Sequence, residues 1–401
     1  MSILYVCIAF GVVLGLMALR RPLWMAVIGG IAAVILLFQV QPMDCLLCVT
    51  NVLTTQSSLS VLITMYLIAY LQRMLEARDQ LVAASKDLDG LLANRRASAL
   101  GSCVFIGLLP SPAAILICGD LMDNACEGAL DPERKAFATS WIRHIPESVI
   151  PTFPAVLLMS QLSGVGLPEF ILGMCAPVVV MALIGYVYLR RIPKKPSGPP
   201  SQNRLKDLLN LVKHLWSILL ILVLILAFNV PVVFAALASI LICIPVYRFK
   251  PCDVATMVKT AFERKMMVNV FLVLVLASFI THVGVLEQLP AALEGLPIPG
   301  YLLFCLVFFL GCLVSGNTGI IAMGTPLAFA AVPGAGMPLM VLLMCMIQAA
   351  SQVQPTHICL VMICEKFGVG LGALIKRTLP WAALFVAFSL LYYNALLFVG
   401  F

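Results

Sequence analysis

The segment GCLVSGNTGI, residues 311–320, interrupts an otherwise apolar stretch of the chain. Glycine permits irregular backbone, while Ser315, Asn317 and Thr318 supply hydroxyl and amide groups. Non-helical backbone at membrane depth survives only where it is buried in protein or lines a wet cavity. The apolar stretches on either side are each too short for a helical span, which needs about 20 residues. We therefore expect a re-entrant hairpin at residues 300–332, with its tip at a binding site.

The same arrangement occurs earlier in the chain, at a constant offset of 204 positions. The offset pairs Ser111 with Ser315, Thr152 with Thr356, and the tetrapeptide GVGL of residues 164–167 with the identical tetrapeptide of residues 368–371. A single ungapped offset that aligns a tip, a Pro-Thr pair and a four-residue identity indicates an internal duplication. The first copy predicts a second hairpin at about residues 99–118.

The composition is that of a polytopic membrane protein, because 62% of the 401 residues are hydrophobic and only 11% are charged. The net charge of +7 then belongs to loops and indicates no nucleic-acid partner. The 14 cysteines are scattered through apolar segments without paired CxxC spacing. We interpret them as small hydrophobic residues and expect neither a disulfide framework nor a metal site from them.

The predicted fold is all-α, with two inverted-topology repeats of five transmembrane helices each plus one re-entrant hairpin each. Repeat one covers residues 1–191 and repeat two covers residues 208–401. The stretch 192–207, which begins with Pro-, Ser- and Lys-rich sequence, is expected to be a cytoplasmic linker. Prolines at 146, 151 and 154 break one long helix, and Pro355 breaks its counterpart.

The distribution of basic residues sets the expected orientation. No Lys or Arg occurs in four stretches that we interpret as loops of one membrane face, residues 41–56, 164–168, 229–231 and 286–299. The positive-inside rule makes the opposite face cytoplasmic, so both termini are expected outside a cell inner membrane. Because each half has an odd number of spans, the second half has the opposite orientation in the membrane to the first. The tip at Ser111 then enters from the cytoplasm and the tip at Ser315 from outside, as in secondary transporters.

Several segments also resemble known families. The paired hairpins, with Ser315, Asn317 and Thr318 at one tip, resemble the ion transporter superfamily, which includes dicarboxylate, gluconate and arsenite carriers. Three segments are more closely similar to the DUF401 membrane family: LPSP at 109–112, SWIRHIPESVIPTFP at 140–154 and QPTHICLVMICEKFG at 354–368. This resemblance extends over essentially the whole chain.

The resemblance implies alternating access coupled to Na⁺ or H⁺, through an elevator motion in a homodimer. It does not name the substrate. The first tip departs from the Ser-Asn-Thr pattern, because Ser111 is flanked by Pro110 and Pro112. A pair of symmetric sodium sites is therefore not implied.

The residues of the two tips are the first candidates for binding. Ser111, Pro112, Ser315, Asn317 and Thr318 offer hydroxyl, amide and freed backbone groups that could replace the water around a small cation. We expect Na⁺, if it is the coupling ion, near Ser315, Asn317 and Thr318. The half-helix after each tip directs its partly positive N-terminus toward an anion. The alternative is that these residues only cap half-helices.

A charged cluster lies on the broken helix of repeat one. Arg143 and Glu147 are four residues apart on one face, and His144 lies beside them. Ionisable groups inside a membrane are candidates for function by default. Arg143 would hold a carboxylate with its planar fork, and Glu147 could take a coupling proton or cation. The alternative is a structural ion pair.

Three further candidates lie at the helix breaks. Thr152 and Thr356 each follow a proline, which leaves a backbone carbonyl free to bind a cation or to be satisfied by a hydroxyl. His357 could contact a ligand or carry a proton, and a buried histidine satisfied by a neighbour is the alternative.

These features predict a secondary active transporter of a small organic anion, such as a carboxylate, coupled to Na⁺ or H⁺. A cation/proton exchanger is the alternative, and a channel the next. We expect no enzyme, because the HExxH, GxSxG and phosphate-loop motifs are absent from the sequence. No cofactor is expected, and the expected partners are the lipid bilayer, the anion and a second copy of the chain.

Overall fold

The computed structural model describes residues 2–80, 83–84, 87, 91, 94–108, 114–126, 128–194, 203–293 and 297–400. Within these ranges the regular elements are helical throughout, in agreement with the predicted all-α class. Short 3₁₀ turns occupy Pro146–Ser148 and Leu286–Gln288.

The described helices of the first half are α1 (Ser2–Ala18), α2 (Leu23–Phe38), α3 (Pro42–Thr54), α4 (Gln56–Glu76), α5 (Arg95–Gly107), α6 (Ala114–Cys126), α7 (Pro132–Arg143), α8 (Pro154–Ser163), α9 (Leu167–Gly173) and α10 (Cys175–Leu189). Those of the second half are α11 (Arg204–Leu226), α12 (Val232–Val246), α13 (Pro251–Thr260), α14 (Arg264–His282), α15 (Leu289–Leu293), α16 (Gly300–Ala331), α17 (Met337–Ser351), α18 (Ile358–Phe367) and α19 (Leu371–Val399).

Helix α16 reverses its direction at Gly316, which has φ 73° and ψ 174°. A β-carbon on Gly311 would lie 2.4 Å from Ile320 Cδ1, and one on Gly324 would lie 2.6 Å from Phe308 Cε2. In a straight helix these partners would be about 13 and 24 Å apart along the axis. The two halves of α16 therefore lie side by side and antiparallel, with glycine at their closest approaches.

Helices α5 and α6 form the corresponding pair in the first half. The thiol of Cys103 lies 3.8 Å from the carbonyl oxygen of Cys118, and the thiol of Cys118 lies 3.7 Å from the carbonyl oxygen of Cys103. Cys103 lies four residues before the end of α5 and Cys118 four residues after the start of α6, so the two helices pack antiparallel. The connecting tip, with Ser111 and Pro112, lies outside the described residues.

Both long helices expected to break at prolines do so. The first ends at Arg143, passes through a 3₁₀ turn at Pro146–Ser148 and resumes at Pro154, whereas the second ends at Ser351 and resumes at Ile358. Helices α8 and α18 are related at both ends by the offset of 204 positions, and each ends on a left-handed glycine, Gly164 and Gly368.

Each antiparallel pair packs on the broken helix of the other half. Gly119 of α6 lies directly against Ile363 and Lys366 of α18, and Lys366 also pairs with Asp120. In the second pair, the Thr325 hydroxyl lies 3.0 Å from the sulfur of Met159 on α8. Met159 and Ile363 are equivalent at the offset of 204. The two breaks and the second tip are thereby brought together.

The remaining helices form a second group beside this one. Helix α1 packs on α2, α4 and α11 pack on α12, and α14 packs on α2 and α3. Helix α3 corrects one interpretation, because residues 41–56 were expected to be a loop. Pro42 at the first helical position and Asp44 in the first turn are ordinary helix-start residues.

Five described helices are long and apolar enough to cross a membrane, namely α4, α11, α14, α16 and α19. Helices α8 and α9 add a sixth if this pair, bent by 112°, is counted as one broken span. Six shorter apolar helices, including α1, α2 and α10, cover most of the other predicted spans. These helices identify a membrane protein.

Candidate functional site

A cavity of about 250 Å³ opens where the two helix breaks meet the reversal of α16. Its lining residues are Arg143, Glu147, Phe153, Pro154, Ala155, Asn317, Thr318, His357, Ile358 and Cys359. About 10–15 Å³ of such space is enough to hold one water, so the cavity has room for several water molecules. This size suits a solute of a few heavy atoms better than a drug-sized ligand.

Helix N-termini form much of the cavity wall. Helix α8 begins at Pro154 and α18 begins at Ile358, and neither has a side-chain cap. The second half of α16 begins beside Asn317 and Thr318, just after the reversal at Gly316. The first backbone N–H groups of a helix have no partner within it and carry partial positive charge. The wall therefore favours an anionic or strongly polar ligand.

The two breaks contribute equivalent positions to the cavity. Phe153, Pro154 and Ala155 correspond, at the offset of 204, to His357, Ile358 and Cys359, and all six line the cavity. Backbone geometry is thus duplicated, whereas the side-chain chemistry is not.

An ion pair lies at the edge of this cavity. Arg143 Nη1 donates to Glu147 Oε2 at 2.7 Å, within a site where the arginine side chain is 3% exposed and the glutamate 22%. The last turn of α7 positions the arginine, and the 3₁₀ turn after Pro146 turns the glutamate back toward it. At this low exposure, removing one partner alone is costly, because it leaves a buried charge without its counter-charge. The pair presents no net charge while both groups are ionised.

Two histidines meet across the breaks. His144 Nε2 lies 3.1 Å from His357 Nε2, although the residues are 213 positions apart in the chain. His144 Nδ1 lies 2.6 Å from the carbonyl oxygen of Ser140. Because a carbonyl oxygen only accepts hydrogen bonds, Nδ1 of His144 carries the hydrogen, and in the neutral ring Nε2 has a free lone pair. In the ligand-free arrangement His357 Nε2 is therefore the donor between the two rings.

The tip of α16 contributes polar groups from the opposite side. Asn317 and Thr318 line the cavity, and Asn317 Oδ1 accepts from the thiol of Cys312 at 3.2 Å. Ser315 is buried, and its hydroxyl donates to the carbonyl oxygen of Gly311 at 2.8 Å. Asn317 and Thr318 thus face the cavity, whereas Ser315 is bonded within its own half-helix.

A sequence model of the family described as Protein of unknown function (DUF401) matches residues 2–396. The chain belongs to this family. Membership agrees with the resemblance of the segments around Arg143 and His357, both of which lie at the cavity. The wider relation to the ion transporter superfamily stays a prediction.

The fold is similar to the crystal structure of the YdaH transporter from Alcanivorax borkumensis, which is described as having an unusual topology. The TM-score is 0.59, the sequence identity is 16%, and 88% of each chain is covered. At this identity the likeness shows a shared fold and nothing about the transported solute. No curated protein matches the chain.

The other predicted site residues lie outside the cavity wall or outside the described residues. Thr152 is half-buried in the turn before α8. Thr356 is exposed, and its hydroxyl accepts from Gln354 Nε2 at 3.1 Å. Ser111 and Pro112 lie in the undescribed tip. Before that tip, at Gly107, the hairpin lies close to Arg143, because a β-carbon on Gly107 would lie 2.4 Å from the carbonyl oxygen of Arg143.

The structure adds residues that sequence reasoning missed. Gln348 donates to the carbonyl oxygen of His144 at 3.1 Å, and Gln352 accepts from the hydroxyl of Ser140 at 3.2 Å, so both amides hold the two breaks together. Cys359 lines the cavity beside the histidines. Its place two residues after His357 is a weak signal, because HxC occurs in many chains.

Proposed function

We propose that the chain is a secondary active transporter for a small organic anion, such as a carboxylate. The observation that carries the proposal is the cavity at the two helix breaks, where helix N-termini and Arg143 face a space of about 250 Å³. Uncapped N–H groups and a guanidinium are donors that suit a carboxylate. The shared fold with a transporter is consistent with this activity.

Proton coupling would follow from the Arg143–Glu147 pair. A substrate carboxylate and the Glu147 carboxylate compete for the same guanidinium. Protonation of Glu147 would weaken the pair and let the substrate carboxylate replace Glu147 as the acceptor from Arg143 Nη1, so one proton would enter with one anion. Among the described residues, other ionisable groups that interact with Glu147 are His144, at 3.8 Å, His357 and the thiols of Cys312 and Cys359. Na⁺ at the tip of α16 is the alternative coupling ion.

We place transport in an inverted-repeat frame with ten spans, both termini outside a cell inner membrane. The recurrence of helix boundaries at 204 positions and the crossed packing of the antiparallel pairs support this frame. The group of α5–α8 and α16–α19 would move as the transport body. The group of α1–α4 and α11–α14 would serve as the scaffold and dimer contact of an elevator.

A cation/proton exchanger is the second candidate. It is favoured by one observation, that Glu147 already neutralises Arg143 at 2.7 Å. A neutral pair attracts an anion weakly, and the polar groups of Asn317 and Thr318 suit a small cation.

The deciding experiment starts with the purified full chain. A thermal-shift screen of carboxylates and sugar acids, with and without Na⁺ and at several pH values, identifies a ligand. Counterflow of that ligand in proteoliposomes without ATP then measures transport. We expect Arg143→Gln to abolish uptake, since among the described residues Arg143 is the only arginine that lines the cavity.

Arg377→Gln is the matched control. Arg377 pairs with Glu133 at 2.7 Å, like Arg143 with Glu147, but lies away from the cavity. Its loss should leave uptake near the wild-type rate. Since Arg143→Gln strands Glu147, the double variant Arg143→Gln/Glu147→Gln keeps the pair neutral and protects folding. Unchanged uptake by a folded double variant, or transport of a cation by the wild type, would contradict the anion carrier and favour the cation/proton exchanger.

A further inference from the structure

His144, His357 and Cys359 form a cluster of metal-ligating atoms that the transport proposal leaves unused. The ligand atoms that they offer, one ring nitrogen from each histidine and Sγ of Cys359, all lie within 4.8 Å of one another. Among the residues that the structure describes, no other trio of His, Cys, Asp or Glu meets this spacing. His144 and Cys359 are buried, and His357 is partly exposed toward the cavity.

We propose that these three residues bind a transition-metal ion of the Zn²⁺ class. Two imidazole nitrogens and one thiolate match the ligands that Zn²⁺ takes in proteins, at about 2.0–2.1 Å to nitrogen and 2.3 Å to sulfur. Tetrahedral geometry at these bond lengths places two nitrogen ligands about 3.3 Å apart. The two Nε2 atoms are 3.1 Å apart, so the imidazoles are already near the spacing of a bound pair.

The surroundings of His144 resemble those of a metal-bound histidine. A ligating imidazole normally donates its other N–H to a carbonyl or carboxylate, which fixes its tautomer and orientation. His144 Nδ1 does so toward the carbonyl oxygen of Ser140 at 2.6 Å, leaving the Nε2 lone pair directed at His357. In the absence of metal that lone pair accepts a hydrogen bond from Nε2–H of His357. For metal binding, His357 must adopt the other neutral tautomer, with its hydrogen on Nδ1 and the Nε2 lone pair available to the metal.

Binding is a proton exchange with no redox step. The Sγ–H bond of Cys359 is replaced by an Sγ–metal bond, and the proton leaves through the cavity. Both imidazoles stay neutral, and the metal keeps its charge of +2. Three protein ligands leave a fourth position open, as in many non-structural zinc sites. Glu147 lies within reach of this position, since its Oε2 is 3.8 Å from His144 Nε2.

The metal site does not depend on which solute the cavity binds, although two of its ligands, His357 and Cys359, line that cavity. Its ligands come from both halves of the chain, His144 from the first break and His357 with Cys359 from the second. A bound ion would therefore connect the two breaks directly. It would also lie against the cavity shared by Arg143 and Glu147.

The test uses the purified full-length protein, stripped with a chelator and titrated with Co²⁺, whose thiolate complexes absorb in the near ultraviolet. We expect one Co²⁺ per chain with a thiolate-to-cobalt charge-transfer band, and displacement of that band by Zn²⁺. Cys359→Ser should abolish the band. Cys364→Ser is the matched control, since Cys364 lies on the same helix and both cysteines are 4% exposed; it should leave the band unchanged.

A second pair of variants keeps the test decisive if Cys359→Ser does not fold. His357→Gln should weaken Co²⁺ binding by about tenfold or more, as expected for loss of a ligand. His282→Gln, at the far end of α14, should bind as the wild type does. A band that survives in folded Cys359→Ser protein, equal losses in Cys364→Ser, or wild-type affinity in folded His357→Gln protein would each overturn the site.

Discussion

Substitution of Gly311 by alanine tests the reversal of α16 through a contact that only the folded-back arrangement contains. The new methyl group would lie 2.4 Å from Ile320 Cδ1 and 3.0 Å from Ile320 Cγ1. Contacts below 3.0 Å force side chains or backbone to shift. Overpacking of this kind costs about 1–3 kcal/mol.

Two smaller contributions to the free energy of unfolding accompany this steric clash. Alanine is favoured over glycine in a helix by about 1 kcal/mol, which offsets part of the cost. Ile320→Val on its own removes one buried methyl group and costs about 0.5–1.5 kcal/mol. In the double variant Cδ1 is gone, so the severest contact disappears. We expect the two substitutions to couple favourably by about 1 kcal/mol, a factor of about five in the unfolding equilibrium.

Unfolding in mixed micelles titrated with SDS measures the four free energies of this cycle. Gly372→Ala is the control, because Gly372 lies in α19 with no atom within 4 Å of its β-carbon position. It should be neutral or stabilising, and it should be additive with Ile320→Val. Strict additivity of Gly311→Ala and Ile320→Val would refute the reversal, since in a straight helix the two positions are about 13 Å apart.

Three further predictions concern orientation, the tip and the first hairpin. A cysteine at Lys194, in a background without exposed native cysteines, should be labelled by a membrane-impermeant maleimide only from the cytoplasmic side; labelling from outside would contradict the inverted repeats. Asn317→Ala should weaken binding of the transported ligand in a thermal-shift titration with the melting temperature of the free protein retained, and equal affinity would make the tip a structural turn. Gly107→Ala should destabilise the chain by about 1–3 kcal/mol, because its methyl group would lie 2.4 Å from a backbone oxygen of Arg143 that cannot rotate away. Wild-type stability in the SDS titration would contradict that close approach.

Local rules explain what the sequence predicted well. Prolines at 146, 151, 154 and 355 break helices because each removes a backbone donor, and this effect needs no tertiary contact. The spacing of four residues predicted the pair of Arg143 and Glu147. The pair is present, although Glu147 reaches Arg143 from the 3₁₀ turn after the end of α7 and not from the same helix. The offset of 204 positions located matching helix starts, since duplicated sequence keeps duplicated boundaries.

Non-local contacts explain what the sequence left open. The approach of His144 to His357 depends on how two breaks meet across 213 positions, which no periodicity encodes. Cys359 was set aside because cysteines in apolar segments are usually packing residues, and only its neighbours give it another role. Helix α3 was missed because its lack of basic residues was interpreted as a property of a loop, although Pro42 and Asp44 are helix-start residues.

The two halves carry different residues at equivalent helix starts, Phe153 in the first and His357 in the second. This difference affects the relative energies of the conformations that the two halves adopt. If the two halves were identical and exchanged their conformations, the inward-open and outward-open states of the proposed transporter would have equal energies. The protein without ligand would then favour neither state. Phe153 faces the cavity where its counterpart is His357, and Glu147 has the counterpart Ser351 in the second half. Unequal side chains at equal positions remove that degeneracy. In the proposed transporter, the residues that differ between the halves would therefore set which side the empty protein faces, as well as what it binds.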